Sequence, residues 1–163
     1  MLLDTCLLVG RSLVPLVDMC LLKGDAMAEA RALRILMTVM GYACVAIGLF
    51  HVLLGNAAIP GAGSAGATVD SLGRFFGAVF AGYGLGWLWA ARQSPIPAAA
   101  VRWLAGVLLL GGFGRLVSLA VDGWPHWFQV VLAVVELVLP PVFFRLAGAR
   151  GQAPRPADAP AGL

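Results

Sequence analysis

Four apolar segments, each about as long as a bilayer-spanning helix, constrain the fold of this chain more than any other feature. A spanning helix needs roughly 20 mostly apolar residues. The segments are Ile35–Leu54, Ser71–Ala91, Ala99–Val121 and Trp127–Ala147. Of the 163 residues 61% are hydrophobic and only 12% are charged, about half the charged share of an ordinary soluble domain. We therefore predict an all-α fold, a transmembrane four-helix bundle.

The connections between these segments are short or rich in turn-forming residues. Residues Gly55–Thr68 read GNAAIPGAGSAGAT and are predicted to be a loop, as are Arg92–Pro97 and Asp122–Pro125. The membrane domain is therefore expected to cover residues 31–148. The segment 149–163 is rich in proline and alanine and is predicted to be a disordered tail.

Residues 1–30 are predicted to be a separate segment, cytoplasmic or at the membrane interface. Asp4, Arg11 and Asp18 recur at heptad spacing, which places them along one stripe of a helix. This pattern is typical of an extra N-terminal amphipathic helix that lies on the membrane surface. The alternative is that translation begins at Met27, so that residues 1–26 are not translated.

Lysine and arginine concentrate at one side of the predicted bundle. They precede the first segment and follow the second and fourth, whereas the other two connections contain none. The positive-inside rule then predicts a multi-pass protein of the inner (plasma) membrane with both termini cytoplasmic. The lipid bilayer is its expected partner, and the dispersed basic residues indicate no nucleic-acid surface.

Two charges interrupt the last two apolar segments. Arg115 and Glu136 lie well inside them, where a charge costs about 2.5–3.5 kcal/mol on insertion scales. Because a tight turn joins these segments, they should be antiparallel neighbours. A rise of about 1.5 Å per residue puts the two charges at similar depths. We predict that they form a buried ion pair, since an unpaired buried charge is strongly destabilising.

Other polar residues fall toward the same predicted outer side. Asp70 and Arg74 are four residues apart and share a helix face, and Ser118 and Asp122 continue the stripe that begins at Arg115. If these faces turn inward, they form a polar cavity open to the outside. The predicted cavity or ligand residues are His51, Asp70, Arg74, Arg115, Ser118, Asp122 and Glu136.

Glycines recur at four-residue spacing in the second segment, at Gly73, Gly77, Gly82 and Gly86. Small residues at this spacing let helix backbones approach closely in lipid. The contact they predict is tight packing within the chain, with a homo-oligomer as the alternative.

Sequence motifs for catalysis or metal binding are lacking. The three cysteines form no CxxC pair, and no HExxH sequence or His/Cys cluster indicates a metal site. No cofactor is indicated, and whether the chain is an enzyme stays open.

Several stretches together resemble the DUF4345 family of small bacterial membrane proteins. They are DSLGRFFGAVFAGYGLGWLWAAR from Asp70, LGGFGRLVSLAVDGWP from Leu110 and ELVLPP from Glu136. The resemblance covers roughly residues 35–147. It implies four membrane helices and a shared importance of Arg74, Arg115 and Glu136, but the family's function is unknown.

Three functional hypotheses follow from these observations. The first is a structural or accessory membrane protein whose buried Arg–Glu network holds the bundle together. The second is a binding protein or enzyme for a lipid-like or quinone-like ligand in the outward-facing cavity. The third is a small proton-coupled transporter in which Glu136 carries the proton, although Arg115 would hold that carboxylate ionised.

Overall fold

A computed structural model describes the backbone of residues 2–59 and 66–151 and the side chains of residues 27–59 and 66–148. The helices are α1 (Leu2–Leu54), α2 (Ala67–Arg92), α3 (Ala98–Asp122) and α4 (Trp127–Gly151), with a 3-10 helix over Gly55–Ala58. These described residues contain no strand. The predicted all-α class is confirmed.

Within the described part of the chain, three helical segments are long and apolar enough to cross a membrane. They are Met27–Ala58, Ala98–Asp122 and Trp127–Gly148. Helix α2 is not among them because its five glycines and its charged residues lower its mean hydropathy. The three apolar helices fit a membrane protein, as predicted.

The helices extend beyond the predicted segments. Helix α1 begins at Leu2 rather than near Ile35, and the first four residues of the predicted loop Gly55–Thr68 form the 3-10 helix. The chain divides into two compact units, Met1–Ala32 and Leu33–Leu163. The first three residues of the predicted tail, 149–151, belong to α4. The side chains of residues 1–26 and all of residues 152–163 lie outside the described residues, so the amphipathic stripe and the rest of the disordered tail stay predictions.

Helices α1 and α2 pack backbone to backbone through glycines. A Cβ atom on Gly48 would lie 2.5 Å from the Gly77 carbonyl oxygen, and one on Gly84 would lie 2.7 Å from the Gly41 carbonyl oxygen. The contact therefore recurs every seven residues along an antiparallel pair, and it favours tight packing within the chain. Of the predicted glycine set only Gly77 takes part, whereas Gly82 faces open space.

The tightest core lies toward the connection between α2 and α3. The Trp87 ring is fully buried, with its centroid 4.4 Å from that of Phe143. Trp87 is thus a core residue and not the membrane-interface aromatic that its position near a helix end suggests. The core cluster comprises Leu33, Met37, Met40, Cys44, Trp87, Ala90, Ala91, Ile96, Val101, Ala105, Leu108, Phe143 and Ala147.

Candidate functional site

Arg115 and Glu136 form the ion pair that the sequence predicts. The Arg115 Nε–H donates to Glu136 Oε2 at 2.7 Å, and the side chains are 34% and 12% exposed. Gly112 allows α4 to come this close to α3, because a Cβ atom there would lie 2.9 Å from Leu137 Cδ2 and 3.2 Å from Glu136 Cβ. The antiparallel hairpin of α3 and α4 therefore positions both charges.

A third member of this network, Gln129, was missed by sequence reasoning. Arg115 Nη1–H donates to Gln129 Oε1 at 2.5 Å. Gln129 precedes Glu136 by seven residues and so shares its helix face. This spacing is the sequence signal that identifies it. The guanidinium is held at two points on α4, and this fixes its orientation.

The ion pair forms part of the wall of a cavity of about 470 Å³. Its other lining residues are largely apolar and aromatic, among them Phe76 and Phe80 of α2 and Phe128 and Leu132 of α4. This volume lies within the range of about 300–1,000 Å³ that is usual for small-molecule pockets. An apolar pocket with a few convergent polar groups is the usual form of a ligand site.

His51 lines the same cavity from α1. Its Nδ1 lies 2.8 Å from the Ile47 carbonyl oxygen. Because a carbonyl oxygen only accepts, this hydrogen bond assigns the proton to Nδ1. In the neutral ring the other nitrogen, Nε2, is then an acceptor.

The ion pair keeps unused hydrogen-bonding capacity. Arg115 Nη2 and Glu136 Oε1 have no hydrogen-bond partner among the residues that the structure describes. A guanidinium carries five N–H donors, and an ionised carboxylate has about four acceptor positions. The two charged residues that line the cavity therefore keep one donor group and one acceptor atom outside their own contact.

Asp70 and Arg74 share a helix face, as predicted, and form an ion pair with Arg74 Nε 2.7 Å from Asp70 Oδ2, but they do not line the cavity, where the sequence places them. Arg74 Nη1–H donates to the carbonyl oxygens of Val52 at 2.6 Å and Leu53 at 3.2 Å. A cation there satisfies carbonyls at a helix C-terminus, which lack partners within the helix. The pair is a clamp between α2 and the end of α1.

Asp70 completes this clamp by accepting the Asn56 backbone N–H at 2.8 Å. Gly55 has a φ of 56°, and a Cβ atom on it would collide with Asp70 Oδ1. Glycine is thus required at this turn for both conformation and space. The hydrogen bonds from Arg74 and from the Asn56 N–H hold the pKa of the Asp70 carboxyl below its usual value.

We expect Arg74→Ala to lower the free energy of unfolding by about 1 kcal/mol, because it removes charge-assisted hydrogen bonds from an exposed arginine.

The Asp70 carboxylate should contribute its stabilisation at neutral pH. That contribution should fall as the pH drops from the usual carboxyl pKa through the lowered one. Unfolding curves of wild-type protein and Asp70→Asn between neutral and acid pH test this. An equally steep acid decline in both proteins would contradict it.

Ser118 and Asp122 do not join the cavity. Both are exposed, and the Ser118 hydroxyl lies 3.4 Å from Asp122 Oδ2. Asp122 ends α3, and α4 begins only at Trp127, so the stripe from Arg115 leaves the packed region before it reaches Asp122. Of the seven predicted site residues, the structure brings His51, Arg115 and Glu136 together around the cavity.

Among the described residues, no group of three His, Cys, Asp or Glu side chains is placed to hold a metal ion.

Together, the fold and this site define a small all-helical membrane protein with a cavity walled on one side by an ion pair. The sequence profile described as "Domain of unknown function (DUF4345)" matches residues 32–147. The chain belongs to this family. No curated protein and no solved structure matches it.

Proposed function

We propose that this chain is an integral membrane protein that binds a lipid-like amphiphile in the cavity between its helices. The observation that carries this proposal is an ion pair that faces a 470 Å³ cavity with hydrogen-bonding atoms to spare. A contact that served only to hold α3 against α4 would need no cavity beside it, whereas a ligand site requires one. A polar group bound in the cavity would hydrogen-bond to the spare atoms of the pair.

The cavity walls suit a molecule with one polar end and an apolar body. The charged residues in the lining are Arg115 and Glu136, at one side, whereas Phe76, Phe80 and Leu132 line other parts. Apolar walls favour an apolar ligand body by roughly 25 cal/mol per Å² of surface removed from water. The polar groups then fix which end lies near the ion pair.

We place the protein in the inner (plasma) membrane as a four-span protein with both termini cytoplasmic. Helix α2 has 26 residues, about 39 Å at 1.5 Å per residue, which is longer than the bilayer core of about 30 Å. Its glycine contacts with α1 run from Gly84 to Gly77, so the two helices share the same depth. The absence of Lys and Arg between α3 and α4 supports an external position for that turn and for the cavity end.

A change that fills the cavity should weaken binding. Gly73 lines the cavity, and a Cβ atom there meets only Ile59 Cδ1, at 4.0 Å. We expect Gly73→Leu to reduce amphiphile binding about tenfold or more, equivalent to about 1.4 kcal/mol. The measurement is equilibrium binding of a radiolabelled single-chain lipid to the purified protein in liposomes.

The matched control is Gly82→Leu, which adds the same side chain to the same helix where nothing lies within 4 Å. Gly82 does not line the cavity, so binding by this variant should equal that of wild-type protein. Equal binding by the Gly73→Leu variant would argue against the cavity as the site. Loss of binding in both variants would point to a general effect of leucine on α2.

A further inference from the structure

We propose that the cavity is loaded sideways from the bilayer, through a gap between α2 and α3, by a single-chain amphiphile with a neutral, hydroxyl-bearing head group. This inference rests on the proposed function and specifies the ligand class and its route. It follows from which lining residues are exposed, and from the electrical neutrality of the polar wall.

Among the residues that the structure describes, the exposed part of the lining lies on two helices. Phe76 and Val79 on α2 are 62% and 53% exposed, and Val107 on α3 is 51% exposed. Gly111, one helical turn beyond Val107, is also exposed. In contrast, the lining residues that α1 and α4 contribute are half-buried or buried, as at His51 and Glu136. The cavity is therefore open at the α2–α3 side.

Three contacts between neighbouring helices fit this asymmetry. The space between α1 and α2 is closed where Gly48 approaches Gly77, and the space between α3 and α4 is closed at Gly112. Between α2 and α3, the Tyr83 hydroxyl donates to the Leu104 carbonyl oxygen at 2.6 Å, and this contact lies toward the tightly packed core. The exposed lining residues of α2 and α3 all lie on the other side of this contact, toward the ion pair.

The surface around this gap is apolar. Leu72 and Phe75 on α2 and Leu110 and Phe113 on α3 are all exposed large hydrophobic residues. An opening into water would not be bordered by such side chains, because large contiguous apolar patches are unfavourable on a soluble surface. Hydrocarbon is their natural solvent in a membrane protein. A molecule that passes between them comes from the lipid phase.

The polar wall selects for an uncharged head group. Arg115 and Glu136 neutralise each other at 2.7 Å, and the pair retains a donor at Nη2 and an acceptor at Oε1. A hydroxyl group both donates and accepts, so it complements both atoms. An added carboxylate would bring a second negative charge close to Glu136 in a low-dielectric site, which is unfavourable. The ligand is thus closer to a long-chain alcohol than to a fatty-acid anion.

The gap is tested with radiolabelled hexadecanol on the full chain in liposomes, with Val107→Trp as the obstructing variant. The control is Val117→Trp, which places tryptophan at another exposed valine of α3 outside the lining. After loading, excess unlabelled hexadecanol is added, and loss of label is followed. A tryptophan across the gap should slow both loading and release several-fold. A tryptophan that merely removed contacts in the cavity would speed release.

The head group is tested by competition on wild-type protein, with unlabelled hexadecanol and with hexadecanoate at alkaline pH. We expect the alcohol to displace the label and hexadecanoate to compete at least tenfold more weakly. Unchanged or faster release in Val107→Trp would overturn the lateral route, and equal or better competition by hexadecanoate would overturn the neutral head group. Neither result would affect the proposed function. If wild-type protein bound neither probe beyond the level of Gly73→Leu, the proposed function itself would fail.

Discussion

Replacing Glu136 by leucine should lower the free energy of unfolding by about 3 kcal/mol. The loss arises because Arg115 is left without its carboxylate in an apolar setting. Its size is at the lower end of the range for removing one partner of a buried ion pair. The lower end applies because a third of the Arg115 side chain is exposed, 34%. Detergent-driven unfolding of wild-type and variant proteins, followed by circular dichroism, measures the loss.

The double variant Arg115→Leu with Glu136→Leu is the informative control. Replacing both members of a buried pair by apolar residues is often neutral or stabilising. We therefore expect it to recover most of the loss seen in Glu136→Leu, so that the two changes are strongly non-additive. Additive losses would mean that the two side chains do not depend on each other, contrary to the 2.7 Å contact.

Gly48→Ala should be as damaging as any single change in the chain, with a loss of about 3 kcal/mol or failure to fold. The new methyl would lie 2.5 Å from both the Ala81 backbone nitrogen and the Gly77 carbonyl oxygen. These are backbone atoms of α2, so they cannot turn away as a flexible side chain does. The two helices would have to separate along their whole contact.

Gly82→Ala supplies the matched control for this substitution. It makes the same change in a helix, but nothing lies within 4 Å of the new Cβ atom. Alanine is the better helix former by about 1 kcal/mol, so this variant should be as stable as wild-type protein or slightly more so. Thermal unfolding in detergent compares the two variants. A similar melting temperature for both would contradict the close α1–α2 packing.

The helices and the ion pair could be predicted because each depends on strong, local physical constraints. Long apolar runs have few alternatives to a helix in lipid. Two charges in adjacent antiparallel segments have few alternatives to pairing with each other. The Arg115–Glu136 contact follows from helix rise and a short turn alone.

The rest of the site depends on how the helices pack against one another, which the periodicity of the sequence does not reveal. The stripe from Arg115 to Asp122 is a real helical face, but only its Arg115 end lies opposite α4 and the cavity. Arg74 turns instead to the carbonyls that end α1. The position of these carbonyls depends on how the chain folds where it leaves α1. Gln129 is harder to identify from sequence, because a neutral amide in a membrane helix costs less free energy than a charge and so stands out less.

The structural and ligand-binding hypotheses make different use of the same pair. Holding α3 against α4 requires only the contact between Arg115 and Glu136. It does not require a cavity beside them, nor exposed lining residues on α2 and α3. A protein that binds an amphiphile needs both, and it still depends on the pair for stability. The loss expected for Glu136→Leu is therefore compatible with either role, and binding is what separates them.

Native mass spectrometry of the protein released from lipid nanodiscs tests the central claim most directly. Wild-type protein and Gly82→Leu should each carry one bound amphiphile, and Gly73→Leu should carry none. The released molecule should be a single-chain lipid without net charge. Wild-type protein that emerges without any bound lipid, or a bound lipid equally retained by Gly73→Leu, would contradict the account of the cavity as a ligand site.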